Sequence, residues 1–152
     1  MRVTNTTLYF LIPPAALAGL VVLWLFVAAL LSWVGGWHSL AQLSPRTGAA
    51  TGDDLGGCSI SLSRGIFAIN YNNSAHITLC QEGLALETSS LFRRYHEPFL
   101  IPWNSIDTCE RQKLLLQEVT VVATRGLHVE ILVRGKAGES VFAYWQKLHT
   151  NS

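Results

Sequence analysis

Two groups of basic residues could bind a charged partner. Arg93, Arg94 and His96 form the first group, and Arg111 and Lys113 form the second. Basic side chains attract anionic lipid headgroups, at about 1 kcal/mol for each residue near the surface, and they also attract acidic proteins. The first group therefore predicts a contact with headgroups or an acidic partner. A solvated loop fits the same residues, because charged runs usually face solvent.

The second group precedes three consecutive leucines, Leu114–Leu116. Cations followed by leucines at a hairpin can dip into a membrane interface, with the basic side chains reaching back to the headgroups. Three apolar residues in a row also fit the end of a buried strand. We expect the leucines to be buried in the core, and we keep Arg111 and Lys113 as candidates for a partner contact.

The residue spacing does not support metal or catalytic chemistry. His76 and Cys80 have a separation that suits two metal ligands on a helix, but their segment is predicted to be a strand. The sequence lacks the serine-hydrolase, zinc-protease, phosphate-loop and dinucleotide-binding motifs. We therefore expect no metal, no cofactor and no enzymatic activity. The cysteines, Cys58, Cys80 and Cys109, are expected to be buried thiols, although one disulfide stays open as an alternative.

The charge balance bears on the class of partner. Lys and Arg number 11 and Asp and Glu number 10, which gives a formal net charge of +1. A protein that neutralises nucleic-acid phosphates needs a basic surplus or a basic stripe. We expect no nucleic-acid partner.

An apolar run without charge, Leu8–Val34, precedes all of these candidates. The hydrocarbon core of a bilayer is crossed by about 20 residues of apolar helix. Pro13 and Pro14 fit the first turn of such a helix, where the missing N–H costs no hydrogen bond. The run predicts a transmembrane helix at residues 13–35, after a short leader at residues 1–12.

The bilayer is thus an expected partner, through Pro13 to Val34. Trp33 and Trp37 are predicted to mark the far membrane interface, where tryptophan is enriched. A cleaved signal peptide is the competing interpretation, but its apolar core covers only about 7–15 residues. Arg2 and Arg46 flank the run and leave its orientation open.

The sequence pattern changes after the apolar run. Residues 36–57 are predicted to be a juxtamembrane segment and linker. Trp37–Leu43 has apolar residues at helical spacing and fits a short interfacial helix or the end of the anchor, and Ser44–Gly57 is rich in Gly, Pro, Thr and Asp. From Cys58 onward the apolar residues alternate, which predicts about six or seven antiparallel strands. Val141–Leu148 then has apolar residues at helical spacing. The predicted fold class is α+β: an N-terminal transmembrane helix, then a small antiparallel β barrel or sheet at 58–152 closed by a C-terminal helix.

The segment Leu91–Ile106, LFRRYHEPFLIPWNSI, resembles part of the bacterial pleckstrin-homology-like domains. In that group a strand with Ile-Pro-Trp follows a loop, and a terminal helix packs across the barrel. More closely, the chain is similar to short bacterial single-pass membrane proteins that have no assigned activity. The shared positions are Trp37/Leu40/Ala41, Tyr71/Asn72, Gly83/Leu84, Phe92/Arg93, His96/Pro98 and Ile101/Pro102/Trp103.

The resemblance implies a pleckstrin-homology-like fold at a membrane and supplies no catalytic residue. Pro102 within a strand predicts a sheet edge or a bend, because proline has no N–H for the ladder. Trp103 is predicted to pack under the terminal helix, against Tyr144 or Trp145. The structural signature of the domain is expected at Tyr71, Asn72, Pro102, Trp103 and Trp145.

These observations predict a non-enzymatic interaction module, anchored in the cell (inner) membrane by one helix. The domain would be presented to a membrane-associated protein or to lipid. The alternative is a domain that binds a small apolar ligand or lipid in the barrel mouth. Three cysteines without a clear pairing suit a reducing compartment and favour, weakly, a cytoplasmic domain.

Overall fold

The computed structural model describes residues 5–46, 48–90 and 92–150, and side chains from residue 13 onward within these ranges. Within these residues the fold has three helices and seven strands, together with a 3-10 helix at Trp103–Ser105. The helices are α1 (Asn5–Val34), α2 (Trp37–Leu43) and α3 (Gly135–Thr150). The strands are β1 (Gly52–Arg64), β2 (Phe67–Cys80), β3 (Gly83–Thr88), β4 (Phe99–Pro102), β5 (Ile106–Leu114), β6 (Gln117–Thr124) and β7 (Val129–Arg134).

All seven strands form one antiparallel sheet in the order β4-β3-β2-β1-β7-β6-β5. The sheet curls into a half-barrel, and the 3-10 helix joins its two edge strands, β4 and β5. The concave side is filled by large aliphatic side chains from several strands. Fully buried examples are Ile60, Leu62, Ile77, Leu86 and Ile131.

Two helices cover the half-barrel. α2 buries Trp37, Leu40 and Ala41 in the core, and α3 buries Val141. The predicted order of an apolar helix, an antiparallel sheet and a closing helix is confirmed. The sheet itself does not identify the domain as pleckstrin-homology-like.

The helix α1 begins earlier than predicted. It includes Pro13 and Pro14 in its interior, so the expectation that these prolines occupy its first turn is wrong. Tyr9 and Phe10 have the residue types expected at the near membrane interface. They lie in α1, but their side chains fall outside the described residues. Among the described residues, one helical segment, Pro13–Val34, is long and apolar enough to cross a membrane, with a mean hydropathy of 2.5.

Two strand boundaries also differ from the expectation. β1 begins at Gly52 rather than near Cys58, because part of the Gly- and Asp-rich segment pairs with the end of β2. The segment Tyr71–Ser74, whose polar residues are typical of a turn, lies within β2 instead. The register shifts between β1 and β2 there, and Asn73 has φ 50°. A bulge therefore accommodates the polar residues that resembled a turn.

The predictions for Pro102 and Trp103 are confirmed. Pro102 ends the edge strand β4, where its missing N–H leaves no gap in the ladder. Trp103 stacks on Tyr144 of α3 with ring centroids 5.2 Å apart, and its Nε1 donates to the Cys80 carbonyl oxygen at 2.9 Å. Trp145 lies one residue further along α3, and its ring is 4.1 Å from that of His149.

Candidate functional site

One face of α1 is packed against the sheet domain. Ala28 and Ser32 are 2% and 3% exposed, although they lie in a helix whose other side chains are largely exposed. They share this face with Trp24 and Gly35, because all four are separated by three or four residues. At Gly35 a Cβ atom would come within 2.8 Å of the Ile69 side chain, so β2 can approach only because this residue is glycine.

The loop between β3 and β4, residues 89–98, makes the other contact with α1. Phe92 packs against Trp24 with ring centroids 5.7 Å apart. The Ser32 hydroxyl donates a hydrogen bond of 2.6 Å to the Tyr95 carbonyl oxygen. The loop is folded tightly, since the Tyr95 N–H donates to the Phe92 carbonyl oxygen at 3.0 Å. The last turns of α1 are therefore part of the packed domain.

Arg93 and Arg94 lie on this loop with exposed side chains. Within the described part of the chain, neither guanidinium is within 4.0 Å of a carboxylate. Glu97 is close in sequence but does not pair with them. The loop thus presents two exposed cations that form no close ion pair among the described residues, although Arg93 lines a depression that also includes Asp54 and Glu87.

His96 does not belong to this exposed group, so its assignment as a partner contact is wrong. It is 1% exposed, and its Nε2 is 3.1 Å from the Tyr71 hydroxyl. Its ring packs edge-on against Trp37, with centroids 5.3 Å apart. Nδ1 is buried without a hydrogen-bond partner among the described residues. Burial lowers the pKa of His96 below its usual value, because the charged imidazolium loses its hydration.

Trp37 is the centre of an aromatic cluster. The prediction that it marks the membrane interface is therefore wrong. Its side chain is fully buried, and its Nε1 donates to the Glu97 carbonyl oxygen at 2.9 Å. Its ring contacts Tyr71 and Phe99 at centroid distances of 5.3 and 5.0 Å. Gly36, with φ 83°, allows the sharp corner between α1 and α2 that turns Trp37 inward. Trp33, four residues earlier, stays 68% exposed.

The second basic group lies at the opposite end of the sheet. β7 begins at Val129, beside Gly36, and ends at Arg134, which pairs with Val119. The turn between β5 and β6 lies beyond that pair. The end of the domain that carries Arg111 and Lys113 is therefore remote from the corner between α1 and α2.

The charges of this second group are largely compensated. Arg111 forms ion pairs with Glu118 and with Glu139, the latter at 3.7 Å. Lys113 stands directly opposite Glu118 in the register of β5 and β6. Anionic ligands would have to compete with these carboxylates, so this hairpin is not a basic surface.

The expected burial of the leucines next to this group is wrong. Leu114, Leu115 and Leu116 are 47%, 92% and 94% exposed. Leu114 ends β5 and the other two form the turn, where no neighbouring element covers them. The turn also forces Leu115 to φ 55°, a conformation that is unfavourable for a residue with a Cβ.

The described surface depressions of the sheet domain are lined by polar and apolar residues together. The largest, about 820 Å³, lies between the β1–β2 bulge and the start of α3 and includes Asn72, Arg134 and Lys136. The concave interior, which the alternative of a ligand in the barrel mouth would need, is occupied by the buried aliphatic side chains.

The cysteines are placed as predicted. Cys58, Cys80 and Cys109 are free and buried. Burial raises the pKa of the Cys109 thiol to about 11, with a further contribution from the neighbouring Glu110 carboxylate. Burial also raises the pKa values of Cys58 and Cys80, so these thiols are poor nucleophiles. No group of three or more potential metal ligands occurs in the described ranges.

No protein-family model matches the chain, and no curated protein shows significant similarity to it.

Proposed function

We propose that the chain is a membrane-anchored, non-enzymatic interaction module, with a pleckstrin-homology-like sheet domain held at the membrane surface by α1. Its role is to present the end of the domain that faces α1 to a membrane-associated partner. A domain held at a membrane meets its partners at high effective concentration, so weak contacts suffice.

The packing of α1 against the domain is the observation that carries this proposal. A flexible tether would let the domain rotate freely, whereas contacts at Trp24, Ser32 and Gly35 fix its orientation relative to the helix. A fixed orientation directs one surface, the loop at residues 89–98, toward the membrane. The exposed side chains of Arg93 and Arg94 on that loop, which form no close ion pair among the described residues, support a binding role for it.

Crosslinking of the full-length protein in its native membrane tests this function. The variant Gly35→Leu removes the space that β2 requires and should release the domain from α1. The control is Gly19→Leu, at a position on α1 with nothing within 4 Å of the added Cβ. We expect the set of crosslinked partners to change in Gly35→Leu and to persist in Gly19→Leu.

An identical set of crosslinks in the wild type and both variants would contradict the proposal. So would a wild-type protein that forms no crosslink at any reagent concentration. Circular dichroism of each purified variant verifies that the sheet domain is still folded.

A further inference from the structure

We infer that the hydrocarbon core of the membrane ends near Val27 on the domain side, and that Arg93 and Arg94 bind the phosphate groups of anionic phospholipids at that level. The inference rests on the proposed function, since it requires α1 to span the membrane, and it names the lipid as a partner of the loop at residues 89–98.

The depth follows from the contact between Phe92 and Trp24. Trp24 precedes Val34 by about 15 Å of helix, at about 1.5 Å per residue. If the hydrocarbon ended at Val34, Phe92 would lie near the middle of a core that is about 30 Å thick. Arg93 and Arg94 would then be far from water, beyond the distance over which an arginine side chain can reach the interface.

The length of α1 permits a different position in the membrane. α1 has 30 residues and is about 45 Å long, which exceeds the thickness of the hydrocarbon core. The apolar sequence Leu8–Val27 is long enough to cross the core alone. The following turns, in which Ala28 and Ser32 are buried by the domain, then lie in the headgroup layer and beyond it.

This position puts the loop at the level of the lipid phosphates. Its two exposed guanidinium groups have no carboxylate partner among the described residues, and guanidinium groups bind phosphate through paired hydrogen bonds. Next to the loop, α1 has a shallow groove of about 470 Å³ that is lined by apolar side chains only, including Leu20, Leu23 and Trp24. A phospholipid fits both features, with an acyl chain in the groove and its phosphate on the arginines.

Thiol labelling in lipid nanodiscs tests the depth, because both membrane faces are then accessible to a charged maleimide. Leu20, Leu30 and Trp33 all have exposed side chains on α1, and each is changed to Cys in the full chain. The native cysteines are buried, so the wild type gives the background. We expect Leu30→Cys to react nearly as fast as Trp33→Cys, and Leu20→Cys to stay at background. Protection of Leu30→Cys equal to that of Leu20→Cys would overturn the proposed depth.

Native mass spectrometry of the full chain, released from nanodiscs of equal phosphatidylglycerol and phosphatidylcholine content, tests the lipid. We expect wild-type protein to retain phosphatidylglycerol preferentially. The variant Arg93→Gln/Arg94→Gln should lose this preference by about tenfold, and Arg111→Gln/Lys113→Gln, which removes the same charge at the other end of the sheet, should keep it. Inorganic phosphate at millimolar concentration should not displace the lipid, because it has no acyl chain to occupy the groove.

Equal retention of the two lipids by the wild type would overturn the lipid site, as would equal losses in both double variants. Displacement by inorganic phosphate would overturn it in favour of a simple anion site. Any of these results would leave the interaction module intact if Gly35→Leu still altered the crosslinked partners. If the crosslinks are unchanged in Gly35→Leu but the wild type and the double variants show the expected lipid preferences, the interaction module is refuted and the lipid site is retained.

Discussion

The loop at residues 89–98 and the β5–β6 turn with its flanking residues, 111–118, have similar compositions and opposite surroundings. Each combines two basic residues with bulky apolar ones. In the loop, Phe92 and His96 pack inward, and Arg93 and Arg94 are exposed without a close ion pair among the described residues. Around the turn, the basic residue is the compensated one and the apolar residues are exposed. Arg111 is paired with carboxylates, and Leu115 and Leu116 face solvent.

The difference comes from the elements that adjoin each segment. α1 and α2 meet the first loop and provide apolar partners for its aromatic residues. The β5–β6 turn extends from the sheet next to a strand that carries Glu118 and a helix that carries Glu139. Composition alone therefore does not indicate which basic group can bind an anion; the neighbouring carboxylates decide it.

The largest expected effect on the free energy of unfolding tests whether the end of the domain near α1 is better packed than the end with the β5–β6 turn. Trp37→Ala removes a fully buried ring and its hydrogen bond to the Glu97 carbonyl oxygen. We expect the free energy of unfolding of the domain to fall by about 3–5 kcal/mol, measured by urea unfolding in detergent with near-UV circular dichroism. Trp33→Ala is the matched control, because Trp33 is exposed. Equal losses in the two variants would mean that Trp37 does not hold α2 in the core.

A smaller effect, dependent on pH, tests the burial of His96. Its pKa is lowered by burial in the folded state, so the unfolded chain binds a proton at higher pH than the folded chain does. The neutral ring makes its full contribution to the free energy of unfolding above about pH 6.5. This contribution is lost as the pH falls from there toward the folded-state pKa. For this one group, the free energy of unfolding changes by at most about 1.4 kcal/mol per pH unit.

The comparison that isolates His96 uses two glutamine variants. His96→Gln should flatten the dependence of the free energy of unfolding on pH below about 6.5, since it removes the titrating group. His38→Gln, at an exposed position on α2, is the matched control for the loss of a histidine. If the free energy of unfolding still depends steeply on pH in His96→Gln, another residue is responsible for that dependence.

The smallest effect concerns the β5–β6 turn. Leu115→Asn should raise the free energy of unfolding by about 0.5–1 kcal/mol, because Leu115 has φ 55° and asparagine tolerates this conformation better than leucine. Leu116→Asn should change it little, since that residue is equally exposed but does not have a positive φ. Destabilisation of both variants by more than about 2 kcal/mol would show that the leucines are covered by another part of the protein.

Local patterns were sufficient for the coarse fold. The uncharged apolar run gave a helix, the alternating apolar residues gave strands, and the helical spacing at Val141–Leu148 gave the closing helix. Pro102 at a sheet edge and Trp103 under α3 were also predictable, because proline lacks an N–H and a large aromatic residue needs burial. The bulge near Asn73 was not predictable, because its polar residues have the composition of a turn.

By itself, the sequence determined that the chain has an apolar helix, a following antiparallel sheet domain and a nearly balanced charge, since these depend on residue type and spacing. Only the tertiary structure decided which residues are accessible. Burial of His96 and Trp37, exposure of Leu114–Leu116 and compensation of Arg111 all depend on contacts between segments far apart in the chain. Such contacts leave no local pattern, because a side chain's exposure is set by whatever element packs on it.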